Sequence, residues 1–136
     1  MKFVVIPLMM MLLMSCSPKP HSLKHSTWTL ISYTDGSGLN TMVTYPHGKK
    51  DSGYWVGFDT DAIYGSDNCN QLSGTYTISD STIKTADLLS TLIGCPDNIP
   101  MIAALTSAKT FALTDSQLRL STEHPQLRVL LFEKLP

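Results

Sequence analysis

The chain has 136 residues, of which 43% are hydrophobic and only 15% charged, with a formal net charge of −1. No basic footprint for nucleic acid exists; the longest basic cluster, Lys49-Lys50, runs straight into Asp51. The low charge and the abundance of Ser and Thr favour a β-rich secreted domain over a helical one, and the length suits one domain with a real core.

At the N-terminus, Lys2 precedes an almost uninterrupted apolar run from Phe3 to Met14, with Pro7 inside it. The run has the length of a signal-peptide core and is too short to span a bilayer. It ends in Leu13-Met14-Ser15-Cys16, which resembles the bacterial lipobox, although Met14 is larger than the usual residue there. The resemblance implies cleavage before Cys16 and acylation of Cys16. Each buried CH₂ contributes about 0.8 kcal/mol and two acyl chains already anchor a protein. Lipoproteins retained in the inner membrane resemble one another in carrying Asp after the cysteine. Ser17 therefore points to the outer membrane, with the domain facing the periplasm. The expected organisation is a signal peptide at 1–15, a lipidated tether at 16–25 and a domain at 26–136. The tether stretch Ser17 to Lys24 has two prolines, two lysines and no apolar pattern. With Cys16 acylated, Cys69 and Cys95 remain. In an oxidising compartment a leftover pair is expected to be crosslinked, with two buried free thiols as the alternative.

Ser26 to Tyr33 alternates Trp28 and Leu30 against Thr27, Thr29 and Ile31, which predicts a strand. The cluster Asp35-Gly36-Ser37-Gly38 ends it. Thr41 to Tyr45 reads as a weaker strand stopped by Pro46, and His47 to Ser52 as a polar loop. Tyr54 to Phe58 is a strand; Asp59-Thr60-Asp61 turns into another from Ala62 to Gly65. Gly74 to Ser79 and Thr82 to Leu88 flank Asp80-Ser81, a short hairpin signal. After Cys95-Pro96 come Asp97 and Asn98, good N-cap residues, then Pro100. Met101, Leu105, Ala108 and Ala112 recur at helical spacing with Ile102 beside them, predicting about three turns whose stripe packs on the core. Strands return at Thr110 to Leu113, Gln117 to Ser121 and Leu127 to Lys134. No long helices alternate with the strands, so a parallel α/β sheet is excluded. The expected fold is α+β and mostly β: a curled antiparallel sheet or incomplete barrel with one packed helix.

These residues resemble the META/HslJ domain family of small bacterial envelope lipoproteins. The resemblance rests on Trp28-Thr29-Leu30, on Gly65 to Asn70 with Cys69 inside it, on Ser73-Gly74-Thr75-Tyr76, and on Thr91 to Cys95 followed by Pro96. It continues through a helix, Leu118-Arg119-Leu120 and a final apolar strand, and so covers Trp28 to about Phe132. Its motif residues here are Trp28, Leu30, Gly65, Cys69, Asn70, Ser73, Gly74, Tyr76, Thr91 and Cys95. Asn68 stands where the family usually has Gly, and Asn accepts left-handed backbone angles better than most residues. The glutamate common in the family's helix is missing, with only Asp97 nearby. The resemblance implies a single β-rich domain tied to heat shock, envelope stress or antibiotic tolerance, without an established enzymatic activity.

Catalysis by Cys69 would need a base to form thiolate. The four histidines, His21, His25, His47 and His124, show no spacing that supplies one. Zinc would want close ligand pairs, which Cys69 and Cys95 lack. Asp59, Asp61, Asp67, Asn68 and Asn70 are oxygen-rich, but they match no EF-hand loop and read as turn formers. No catalytic residue, metal or cofactor is expected. Trp28, Tyr33, Tyr54, Trp55, Tyr64 and Tyr76 form a candidate ligand surface. If Tyr54, Val56 and Phe58 face the core, Trp55 lies on the outer face, as a contact site or under part of the sheet. The leading expectation is a non-enzymatic lipoprotein that contacts an envelope protein and meets the membrane only through its lipid. A lipid or small apolar ligand held in the curled sheet is the second.

Overall fold

The computed structural model of the chain describes residues 22–44 and 53–136. The apolar run, Cys16, the first part of the tether and the loop His47 to Ser52 lie outside those residues. In chain order the described elements are β1 (Ser26–Thr34), β2 (Asn40–Met42), β3 (Tyr54–Phe58), β4 (Ala62–Asp67), β5 (Gln71–Ser79), β6 (Thr82–Ser90), α1 (Met101–Leu105), β7 (Ala108–Leu113), β8 (Gln117–Thr122) and β9 (Val129–Lys134).

The pairing order is β2-β1-β3-β4-β5-β6-β7-β8-β9, antiparallel throughout, and β1 also pairs with β9. Eight strands therefore close into a barrel, and β2 adds to β1 outside the ring. The curled sheet or incomplete barrel expected from sequence is corrected to a closed one. Closure follows from the length of β1. Its Ser26–Thr29 half pairs with β3 and its Ser32–Thr34 end with β2, while the other edge takes β9 from Trp28 to Thr34. The thinnest seam joins β6 to β7 through the single pair Thr82 and Thr110, helped by the Phe111 N–H donating to the Ser81 carbonyl at 2.9 Å.

Alternation supplies the interior. Trp28 and Leu30 of β1, Val56 and Phe58 of β3, Leu118 and Leu120 of β8, and Leu130 and Phe132 of β9 are all essentially buried. Each such side chain contributes about 1.5–3 kcal/mol. Leu23, in the stretch read as tether, also belongs to this core. The Ser26 hydroxyl donates to the Leu23 carbonyl and accepts from the Trp28 indole N–H at 2.7 Å.

The helix departs from the sequence expectation. It spans five residues, Met101–Leu105, with Pro100 at its N-cap and no side-chain cap. Asn98 is not a cap, because its side chain accepts a hydrogen bond from the Tyr54 hydroxyl at 2.6 Å. The apolar stripe stops at Leu105, where the hydroxyls of Thr106 and Ser107 donate back to the carbonyls of Ala103 and Ala104. Ala108 to Leu113 then pairs with β8; strand pairing outweighs the helical spacing of Ala108 and Ala112. Met101, Ala104 and Leu105 are buried in the barrel core.

The barrel has two unlike ends. One carries the short connections β3–β4, β5–β6 and β7–β8 and receives the chain at Ser26. The other carries the turn Asp67 to Gln71, the β6–α1 connection and α1.

Candidate functional site: a crosslinked turn and the apolar strap it carries

At the second end, β4 runs into a turn built by Asp67. This residue is 5% exposed, and its Oδ1 accepts from the N–H groups of Cys69 (3.1 Å) and Asn70 (2.6 Å). Asn68 sits at φ 70°, the left-handed conformation that Asn tolerates where most residues do not. The Asn70 side chain points across to the chain leaving β6, the strap at 91–100. Its Oδ1 accepts from the Ile93 N–H (2.7 Å) and the Thr91 hydroxyl (2.9 Å), and its Nδ2 donates to the Ile93 carbonyl (3.1 Å). The Thr91 hydroxyl in turn accepts from the Gln71 N–H at 3.0 Å. A disulfide joins Cys69 to Cys95 with Cα atoms 6.4 Å apart. Turn and strap thus meet through a covalent bond and an amide clip side by side.

Farther along, the Tyr54 hydroxyl accepts from the Ile99 N–H at 2.9 Å besides donating to Asn98. Burial of this phenol pushes its pKa up, against the opposing pull of the Ile99 N–H. The strap is therefore held at both ends and displays Leu92 and Ile93, 95% and 60% exposed, three and four residues after Leu89 of β6, which is 71% exposed. These three aliphatic side chains form an exposed ledge on a braced backbone, which lowers the ordering cost of any association.

The motif residues sort into three roles. Cys69, Asn70, Thr91 and Cys95 converge at the crosslink. Trp28, Leu30 and Tyr76 are core; the Tyr76 ring meets Phe58 edge-on at 5.1 Å and its hydroxyl donates to the Asp59 carbonyl. Gly65 and Gly74 permit close approach. A Cβ on Gly65 would strike the Trp55 carbonyl of β3, and one on Gly74 would meet Leu88 and the Ala86 carbonyl where β5 and β6 shift register. Ser73 pairs with Tyr64 and Leu89 on the outer wall. Asp67 forms the turn that its sequence position predicts. Tyr54 is the anchor that the sequence does not mark, because Asn98 and Ile99 are far from it along the chain.

The remaining candidates are dispersed. Both sulfurs are bonded to each other, His25 Nδ1 pairs with Asp59 at 2.8 Å, and His124 Nδ1 accepts from the Gln126 N–H in its own turn. His21 and His47 lie outside the described residues. Among the described residues no three His, Cys, Asp or Glu side chains converge as metal ligands. A cleft of about 570 Å³ lies between Tyr33, Asp35, Asn98 and Pro125. Its Asp35 carboxylate is held by its own turn, accepting from the Ser37 N–H and hydroxyl and the Leu39 N–H; the Ser37 hydroxyl is the main cause of its lowered pKa.

Comparison with known proteins agrees with this architecture. A protein from Burkholderia xenovorans solved by NMR is 18% identical, with a TM-score of 0.63 over 88% of this chain and 92% of that one. A second NMR structure is 21% identical, with a TM-score of 0.56 over 81% and 89%. The crystal structure of a DUF4847 family protein from Bacteroides vulgatus ATCC 8482 is 16% identical, with a TM-score of 0.59 over 82% and 93%. At these identities the likeness shows the fold alone. No curated protein matches the chain. The META domain family model matches residues 21–134, from before β1 to the end of β9. The chain is a member of the META domain family.

Proposed function

We propose that this META domain is a lipoprotein module, held on the outer membrane through Cys16, that works in the envelope stress response by protein contact and not by catalysis. The observation that carries the contact reading is the ledge of Leu89, Leu92 and Ile93, exposed yet braced, the first by strand pairing in β6 and the other two by Asn70 and the Cys69–Cys95 disulfide. Its position supports the same reading. The chain enters β1 at the barrel end opposite the strap, so a domain tethered at Cys16 presents the ledge away from its anchor. Binding of a lipid inside the sheet has less support, since Trp28, Phe58, Phe132 and their neighbours fill the barrel interior.

The test uses the full chain expressed in a bacterial envelope. Intact mass should report a triacylated Cys16; an unmodified N-terminus would refute the anchor. A photo-crosslinker at Leu92 should give one defined protein adduct that Ile93→Asp abolishes, while the same crosslinker at Thr77 gives none. An adduct of lipid mass, or no adduct, would overturn protein contact.

A further inference from the structure

The outer wall of the barrel carries a second built surface, independent of the strap. Strand register sets Thr27, Gly57, Tyr64 and Ser73 in one row across β1, β3, β4 and β5. Residues flanking that row, Val56, Phe58, Ile63 and Gly65, are buried, so the row faces outward. Gly57 has no side chain, and the phenol end of Tyr64 fills the space that a Cβ there would occupy. The ring leans over the β3 backbone and remains 37% exposed. Trp55 meets it at 5.8 Å between centroids and 73° between planes. The two rings form a corner, one the floor and the other the wall.

In the sheet Trp55 pairs with Thr29 and Ser66, and Tyr64 with Gly57 and Ser73, while Thr27 and Gln71 stand next along the two rows; all are uncharged. The Tyr64 hydroxyl makes no hydrogen bond among the described residues, and its ring position is set by Gly57. We infer that the Trp55–Tyr64 corner is a saccharide-binding site. A pyranose offers a flat face of C–H groups that matches an aromatic ring, and a rim of hydroxyls that needs neutral donors and acceptors. The Tyr64 hydroxyl and the Ser73 and Gln71 side chains are of that kind. A phosphate or an acidic ligand would want a cation, and none stands in these rows.

The test titrates the detergent-solubilised full chain with two probes, chitotetraose and maltotetraose, following tryptophan emission. Trp28 is 1% exposed, so the response reports Trp55. A saturable change is expected with at least one sugar. Tyr64→Phe, which keeps the ring and removes only the rim hydroxyl, should weaken binding about threefold, and Tyr64→Ala should lose at least about tenfold. Because Tyr64→Ala also uncovers Gly57, Gln71→Ala and Ser73→Val serve as rim variants that leave the corner intact. Each should weaken binding about threefold or more without moving the thermal midpoint. No saturable response to either sugar up to about 20 mM, well beyond a weak millimolar affinity, would overturn the site. So would a response that survives Tyr64→Ala.

Discussion

Replacing Asn70 with Ala tests how the strap is held. The side chain makes three hydrogen bonds, at 2.7, 2.9 and 3.1 Å, to Ile93 and Thr91. A typical bond contributes about 0.5–1.5 kcal/mol net. Ile93 and Thr91 are exposed, so the groups left behind rehydrate without a burial penalty, and the sum sits low, near 2 kcal/mol. The disulfide closes a separation of 26 residues, which in the chain-entropy picture contributes about 3.5 kcal/mol. Urea unfolding of the oxidised Asn70→Ala protein should therefore lose about 2 kcal/mol with an unchanged slope, and reduction of the wild type about 3.5 kcal/mol. Because clip and disulfide hold the same segment, their effects should couple. Amide exchange shows it directly. The Ile93 N–H donates to Asn70 itself, so its protection should be lost in Asn70→Ala with or without the disulfide. The Thr91 N–H donates to the Gln71 carbonyl at 3.2 Å; its protection should persist when either hold is removed alone and disappear in reduced Asn70→Ala protein. Unchanged stability in the oxidised variant, or a Thr91 amide still protected after both are gone, would refute this account.

Gly65→Ala should cost more than about 3 kcal/mol and move the melting midpoint by at least ten degrees or so, because the obstacle is the Trp55 carbonyl and main chain cannot step aside. Differential scanning calorimetry reads it, and a loss below about 1 kcal/mol would contradict the close approach. Tyr54→Phe should cost about 1–3 kcal/mol, since Asn98 and the Ile99 N–H both lose their partner; the Ile99 amide should exchange faster. Burial raises the pKa of Tyr54. It also raises that of Tyr76, with the charges of Asp59 and Asp61 adding to the shift. For an acid kept neutral by the fold, the stabilisation is fully present below the unfolded value near 10 and is lost as pH climbs through the folded value. Thermal midpoints should therefore fall above about pH 10, in step with the phenolate absorbance, and Tyr54→Phe should flatten part of that fall.

Much of this protein is written in local sequence. Period-two alternation in Ser26–Thr34 and Tyr54–Phe58, and the two-residue turn Asp80-Ser81, mark strands and a hairpin because those signals act over a few residues. The cysteine count likewise pointed to the Cys69–Cys95 bond, which needs no knowledge of where the strands lie. Tertiary structure decided the rest. Whether Ala108 and Ala112 belonged to a helix or a strand depended on the presence of β8 beside them, and the partner won over the spacing. Whether the sheet closed depended on β9 returning to β1, a pairing of residues a hundred positions apart. The strap's exposed Leu92 and Ile93 read as ordinary apolar residues in one dimension. Only Asn70, Tyr54 and the disulfide, brought together from distant segments, hold them in water, because the hydrogen bonds and the covalent link outweigh their tendency to bury.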